Sequence, residues 1–176
     1  MSQPPFLEVV LFCLVAQAAV VDLARRKIPN RLVLLGLGIG LALHLLAAPG
    51  WPLAWAGGAL TGFFLFLPLY LMRGMAAGDV KLMAMVGSFT GPQMALEICF
   101  ATFIVGGVLA LLMVVYQGRM RAVLKNLHTV LAPLLLRAAG VPLQPAPLAP
   151  GVSVGGMPYG VAIALGTMLM LLWKHS

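Results

Sequence analysis

Long apolar runs constrain this chain more than any single motif. Windows almost free of charge recur near residues 5–24, 31–48, 53–72, 80–91, 94–116 and 157–173, broken by charges, prolines and glycines. About 20 mostly apolar residues carry an α-helix across the hydrocarbon core of a bilayer, and most of these windows approach that length. With 62% hydrophobic and 9% charged residues, the chain lacks the polar surface needed to coat a water-soluble globule. The pattern predicts an all-α, polytopic integral membrane protein with about six transmembrane helices. A single membrane-embedded domain over residues 1–176 is expected, with one cytoplasmic stretch near residues 117–156.

The fourth window is short, roughly 12 residues where about 20 would span. It must begin before Asp79 or share its depth with re-entrant backbone. Irregular backbone at membrane depth is tolerated only where protein buries it or it lines a wet cavity. The region around Asp79 is therefore a candidate site.

The formal charge of +7 would suggest a nucleic-acid partner in a soluble protein, but here the cations cluster between apolar runs and set orientation. Arg25, Arg26, Lys27 and Arg31 follow the first helix, Arg73 and Lys81 flank the third-to-fourth connection, and Arg119, Arg121, Lys125 and Arg137 follow the fifth. Six passes place these connections on one face, which the positive-inside rule makes cytoplasmic. Both termini are then extracytoplasmic. The aromatics agree: Trp51, Trp55 and Trp173 map to the outer interface, and Tyr70, Tyr116 and Tyr159 to the inner one.

Arg119 to Gly140 reads as a basic amphipathic helix on the anionic inner leaflet, broken or kinked at Pro133, and Val141 to Met157 as a Pro- and Gly-rich loop. Met1 to Phe12 has no basic n-region and carries Glu8, so the first helix is expected to be retained. Cys13 and Cys99 lie in separate apolar runs without metal-binding or disulfide spacing, and read as small packing residues. No metal and no cofactor is predicted. Gly36-x-x-x-Gly40 and Gly58-x-x-x-Gly62 permit close helix packing.

The chain contains four acids, Glu8, Asp22, Asp79 and Glu97. Asp22 lies about one turn before the Arg25-Arg26-Lys27 cluster, and Asp79 two residues before Lys81. Two carboxyls from different helices thus reach the same depth on the same side. Intramembrane acids are costly and are functional candidates by default. Each also has a structural reading: Asp79 could cap the helix it opens, and Asp22 could pair with Arg25 or Arg26. Two such groups suit amide hydrolysis, one carboxylate taking a proton from water while its protonated partner donates to the carbonyl. Glu8 and Glu97 map to the outer half. A Ser88/His44 pair would suggest a serine protease, but the nucleophile motif is missing and His44 reads as packed.

Three blocks resemble the type IV prepilin peptidases, intramembrane aspartic proteases of the GxGD class. Asp22-Leu-Ala-Arg-Arg-Lys-Ile-Pro-Asn30 is similar to the family's first aspartate with its basic stretch and I-P-N. Gly74-Met-Ala-Ala-Gly-Asp-Val-Lys-Leu82 is similar to its second block, and Pro158-Tyr-Gly-Val-Ala-Ile-Ala164 to its last-helix signature. The resemblance implies that Asp22 and Asp79 are catalytic, supported by Pro29, Asn30, Ala76, Gly78, Lys81, Pro158, Tyr159 and Gly160. It implies cleavage of a pilin precursor's leader at the cytoplasmic face. One departure is Ala76, which stands where the motif has its first glycine. The insert carried by the larger, methylating members is lacking, so the chain resembles the short form associated with Flp or tight-adherence pili. The competing readings are a noncatalytic subunit of a pilus assembly system and a proton-coupled carrier.

Overall fold

A computed structural model describes residues 5–47, 52–72, 74–118 and 159–175. Every regular element among them is helical: α1 (Pro5–Arg25), α2 (Asn30–Ala47), α3 (Pro52–Leu71), α4 (Ala77–Thr90), α5 (Pro92–Tyr116) and α6 (Tyr159–Lys174). Phe6–Arg25, Leu53–Leu71 and Pro92–Tyr116 are long and apolar enough to cross a membrane, while the apolar parts of α2 and α6 are shorter. Large apolar side chains such as Leu46, Leu53, Leu71, Ile104 and Leu172 are exposed. In a chain this apolar their solvent is lipid, and the protein is an integral membrane protein. The segment expected to be amphipathic (119–140), the following loop, Trp51, Arg73 and Pro158 lie outside the described residues.

The chain divides into two units, Met1–Gly107 with Pro158–Ser176, and Val108–Met157. Of the second, the described part is the end of α5 and the turn to Gly118. The first unit holds everything that follows.

The hub of that unit is α4, which packs most extensively on α3 and also meets α1, α2 and α6. Leu82 to Thr90 are all buried, so the helix is enclosed on every side, as its apolar circumference requires. Its 14 residues rise only about 21 Å, less than the roughly 30 Å hydrocarbon core. Enclosure makes this length tolerable, because protein rather than lipid covers the helix and its ends.

Glycines let the backbones approach that closely. A Cβ added at Gly58 would collide with the Gly87 carbonyl oxygen, and one at Gly62 with that of Met83. On α2, a Cβ at Gly36 would strike the Met85 thioether, and one at Gly40 would come within 3.1 Å of the Phe89 ring. Both Gly-x-x-x-Gly pairs therefore face α4.

The fourth helix begins at Ala77 rather than near residue 80, and the fifth at Pro92 rather than near 94. A single residue, Gly91, joins them with φ at 81°, donating its N–H to the Gly87 carbonyl at 2.9 Å. Only glycine takes this conformation cheaply. Pro92 then opens α5, where its missing N–H costs nothing.

Gly58→Ala is expected to lower the thermal unfolding midpoint in detergent by the equivalent of about 1–3 kcal/mol or more, because backbone cannot yield as a side chain can. Gly38, whose added Cβ meets nothing within 4 Å, is the control. Gly38→Ala should be neutral or stabilising by up to about 1 kcal/mol. Equal midpoints would refute the packing account.

Candidate active site

Asp22 lies in the last turn of α1 and is only 5% exposed. Its Oδ2 accepts the backbone N–H of Gly160, in the first turn of α6, at 2.8 Å. At the far end of the same helix pair, Glu8 accepts from Lys174 Nζ and contacts His175 Nε2, both at 2.6 Å. Glu8 and Asp22 are 14 residues apart on α1, as are Gly160 and Lys174 on α6, so the helices run antiparallel with both contacts in register. A Cβ on Gly160 would lie 2.8 Å from the Asp22 carboxylate. Glycine is needed there for close approach. Beyond Asp22 the chain turns at Arg26, whose N–H donates to the Asp22 carbonyl at 2.8 Å and whose φ is 50°. For a non-glycine residue this left-handed conformation costs about 1–2 kcal/mol. The Arg26 guanidinium also lies near enough to act on the Asp22 carboxylate.

Asp79 is the third residue of α4 and is likewise 5% exposed. It is not the N-cap expected from the sequence. Ala76 holds that position, in extended backbone with φ −82° and ψ 152°. Because the helix starts two residues before Asp79, the carboxylate instead reaches back, its Oδ2 accepting the Ala76 N–H at 3.1 Å. This is the carboxylate half of a capping box; alanine has no oxygen for the other half.

Asp22 and Asp79 are close enough to interact electrostatically, so α1 and α4 bring the two acids to one end of the unit. Each carboxylate also receives an N–H from a helix start, α6 for one and α4 for the other, where the macrodipole favours an anion. Among the described residues, no hydrogen bond engages Oδ1 of either acid. Those oxygens remain for water or a substrate.

The surrounding motif residues converge here. A Cβ on Gly78 would come within 3.3 Å of Ile28 Cβ, so the turn before α2 lies directly on the start of α4. Lys81 Nζ donates to Asn30 Oδ1 at 3.1 Å. The Pro29 carbonyl accepts the Leu32 N–H at 3.1 Å and so opens α2, and half-buried Tyr159 opens α6. Ala76 is exposed and its backbone conformation is open to any residue, so alanine at the motif's first glycine introduces no backbone strain. None of these long-range contacts was legible in the sequence; the clustering of Gly78, Ile28, Lys81 and Asn30 within matching blocks was the one available signal.

Ser88 and His44 have local partners. Ser88 donates its hydroxyl to the Met85 carbonyl at 2.7 Å, and His44 Nδ1 contacts the Gly40 carbonyl at 2.7 Å. Ser88 thus spends its hydrogen within its own helix instead of presenting a nucleophile. Glu97 borders an apolar groove of about 300 Å³ lined also by Phe100, Leu169 and Trp173, and stands at the opposite end of α4 from Asp79.

A model of the type IV leader peptidase family matches residues 9–111, more than half of the chain. The matched span contains Asp22 and Asp79 and ends before α6. Neither a curated protein nor a solved structure matches the chain.

Gly160→Ala is expected to force Asp22 and α6 apart and lower the unfolding midpoint by the equivalent of about 1–3 kcal/mol. Gly107→Ala, whose Cβ meets open space, should not. Indistinguishable melting curves would show that the Asp22–Gly160 contact is not tight.

Proposed function

Because the chain belongs to the type IV leader peptidase family, and is therefore a peptidase, we propose that Asp22 and Asp79 are its catalytic pair. The observation that carries this reading is the meeting of two buried carboxylates, from α1 and α4, at one end of the unit. The substrate is a type IV pilin-like precursor of the Flp or tight-adherence kind, and the bond broken joins its leader to the mature chain.

The chemistry balances with water and two carboxyl groups. One aspartate, ionised, takes a proton from water as the water oxygen bonds to the peptide carbonyl carbon. The other, protonated, gives its proton to the carbonyl oxygen. The resulting tetrahedral diol collapses as the first aspartate gives its new proton to the amide nitrogen and the second takes one from a diol hydroxyl; the C–N bond breaks, a carboxylic acid and an amine leave, and both aspartates regain their starting states. Close carboxyls sharing one proton suit both roles.

Arg25, Arg26, Lys27, Arg31 and Lys81 are all exposed and flank the two acids in sequence. By the positive-inside rule this end faces the cytoplasm and its anionic lipid. Both termini are then extracytoplasmic. A precursor whose hydrophobic helix lies in the bilayer would present its leader junction at this level.

The hydrogen bonds to Gly160 and Ala76 also favour a second reading, in which the acids only clasp and cap a noncatalytic subunit. Asparagine separates the two, since its side-chain oxygen still accepts an N–H but cannot exchange a proton. Asp22→Asn and Asp79→Asn are each expected to slow cleavage of a co-expressed precursor by about 10²–10⁴-fold while leaving the melting midpoint nearly unchanged. Near-normal processing by either variant would refute the pair. Restoring the motif glycine with Ala76→Gly should change the cleavage rate by no more than about two-fold, since the backbone there already takes an ordinary extended conformation. A large gain would show that alanine impairs the site.

A further inference from the structure

Lys81 is the one residue between Asp79 and Thr90 of α4 that is not buried. In the second turn of a helix a cation sits against the macrodipole, so its position calls for a partner. Its long stem carries the ammonium out to Asn30, where Nζ donates to Oδ1 at 3.1 Å across 51 residues of sequence. Asn30 opens α2 directly after the turn that leaves Asp22. In the same turn Ile28 lies over Gly78, with 3.3 Å between its Cβ and the position of a Gly78 Cβ. The turn is thus pinned to α4 at two points that bracket Asp79, Gly78 before it and Lys81 after it. On the other side of the turn Arg26 is held in a left-handed conformation and hydrogen-bonded to the Asp22 carbonyl, so displacement of the turn is passed to the last turn of α1. The packing of α1 is mainly with α6, and its contact with α4 is much smaller.

We infer that Lys81 is a positioning residue: through Asn30 it clamps the α1–α2 turn onto the start of α4 and thereby sets the separation of Asp22 and Asp79. What that separation serves rests on the peptidase reading above, but the clamp itself is testable without it.

Two measurements on the full chain in detergent test the inference. For the first, Ile28→Cys and Gly78→Cys are combined with Cys13→Ala and Cys99→Ala. The Cβ separation of 3.3 Å falls just short of the roughly 3.5–4.5 Å of a disulfide, so after a shift of a few tenths of an ångström mild oxidation should cross-link the pair. Adding Lys81→Met or Asn30→Leu should slow cross-linking about ten-fold, the equivalent of about 1.4 kcal/mol, and Lys81→Arg should leave it near the starting rate. For the second, carried out without the added cysteines, kcat for leader cleavage should fall about ten-fold in Lys81→Met and in Asn30→Leu, with KM held within about two-fold. The double variant should be no worse than either single one, and Lys81→Arg should recover kcat. Cross-linking indifferent to Lys81→Met, an unchanged kcat, or single effects that multiply in the double variant would each overturn the inference. A native chain that cleaves no precursor, while cross-linking responds as expected, overturns the proposed function and upholds the clamp.

Discussion

Two carboxylates buried in an apolar bundle need compensating donors, and here helix starts supply them. Burial of an unpaired carboxylate costs at least several kcal/mol, too much for a fold whose total stability is of order 5–15 kcal/mol. The Gly160 N–H on Asp22 and the Ala76 N–H on Asp79 offset that cost only if α6 and α4 both begin where α1 ends. The antiparallel pairing of α1 with α6 follows from this requirement. It is secured at the other end by Glu8, which takes Lys174 and His175 on its two carboxylate oxygens. The two acids of α1 thus fix the same helix pair at both ends, one through a backbone N–H and one through the side chains of Lys174 and His175.

The two candidate catalytic groups belong to different packed sets. Asp79 rides on α4, which meets the α3 backbone at Gly58 and Gly62 and lays Met85 and Phe89 on Gly36 and Gly40 of α2. Asp22 rides on α1, whose main partner is α6. Near the acids, Ile28 in the turn between α1 and α2 lies on Gly78, and Lys81 bonds Asn30 at the head of α2, while α1 and α6 also pack directly on α4. Under the proposed mechanism a peptide must reach carboxylates that are each 5% exposed. Glycine-locked backbone resists opening, and α1 packs far less extensively on α4 than α3 does.

Apolar periodicity locates the six helices among the described residues to within a few positions, because lipid exposure makes hydropathy a direct record of the elements. The scarcity of acids marked Asp22 and Asp79 for the same reason, since a membrane chain keeps few charges without a use. What the sequence hid was long-range or was set by small residues. The apolar window opens near residue 80 because Ala76 and Ala77 carry no capping side chain, but its shortness already calls for a start before Asp79 or re-entrant backbone, and the helix begins at Ala77, with Asp79 reaching back to the cap instead of supplying it. The bond from Gly160 to Asp22 spans 138 residues, and a glycine that serves by lacking a Cβ leaves no chemical signature. Among the described residues, three helices reach spanning length; the short α4 is possible because its neighbours enclose it, a tertiary fact that no window average contains.

The two small residues of the motif before Asp79 look equivalent in sequence but do different physical work. At Gly78 a side chain would press on Ile28, and the turn carrying Ile28 is also the one that leaves Asp22. A methyl there would act on the distance between the acids. Ala76 contributes its backbone N–H to Asp79 while its own side chain is exposed and its φ is −82°. Any residue that keeps an N–H and an extended conformation meets that demand, and proline alone fails it outright. The first position therefore tolerates alanine for a reason that does not extend to the second: one supplies a hydrogen, the other supplies room.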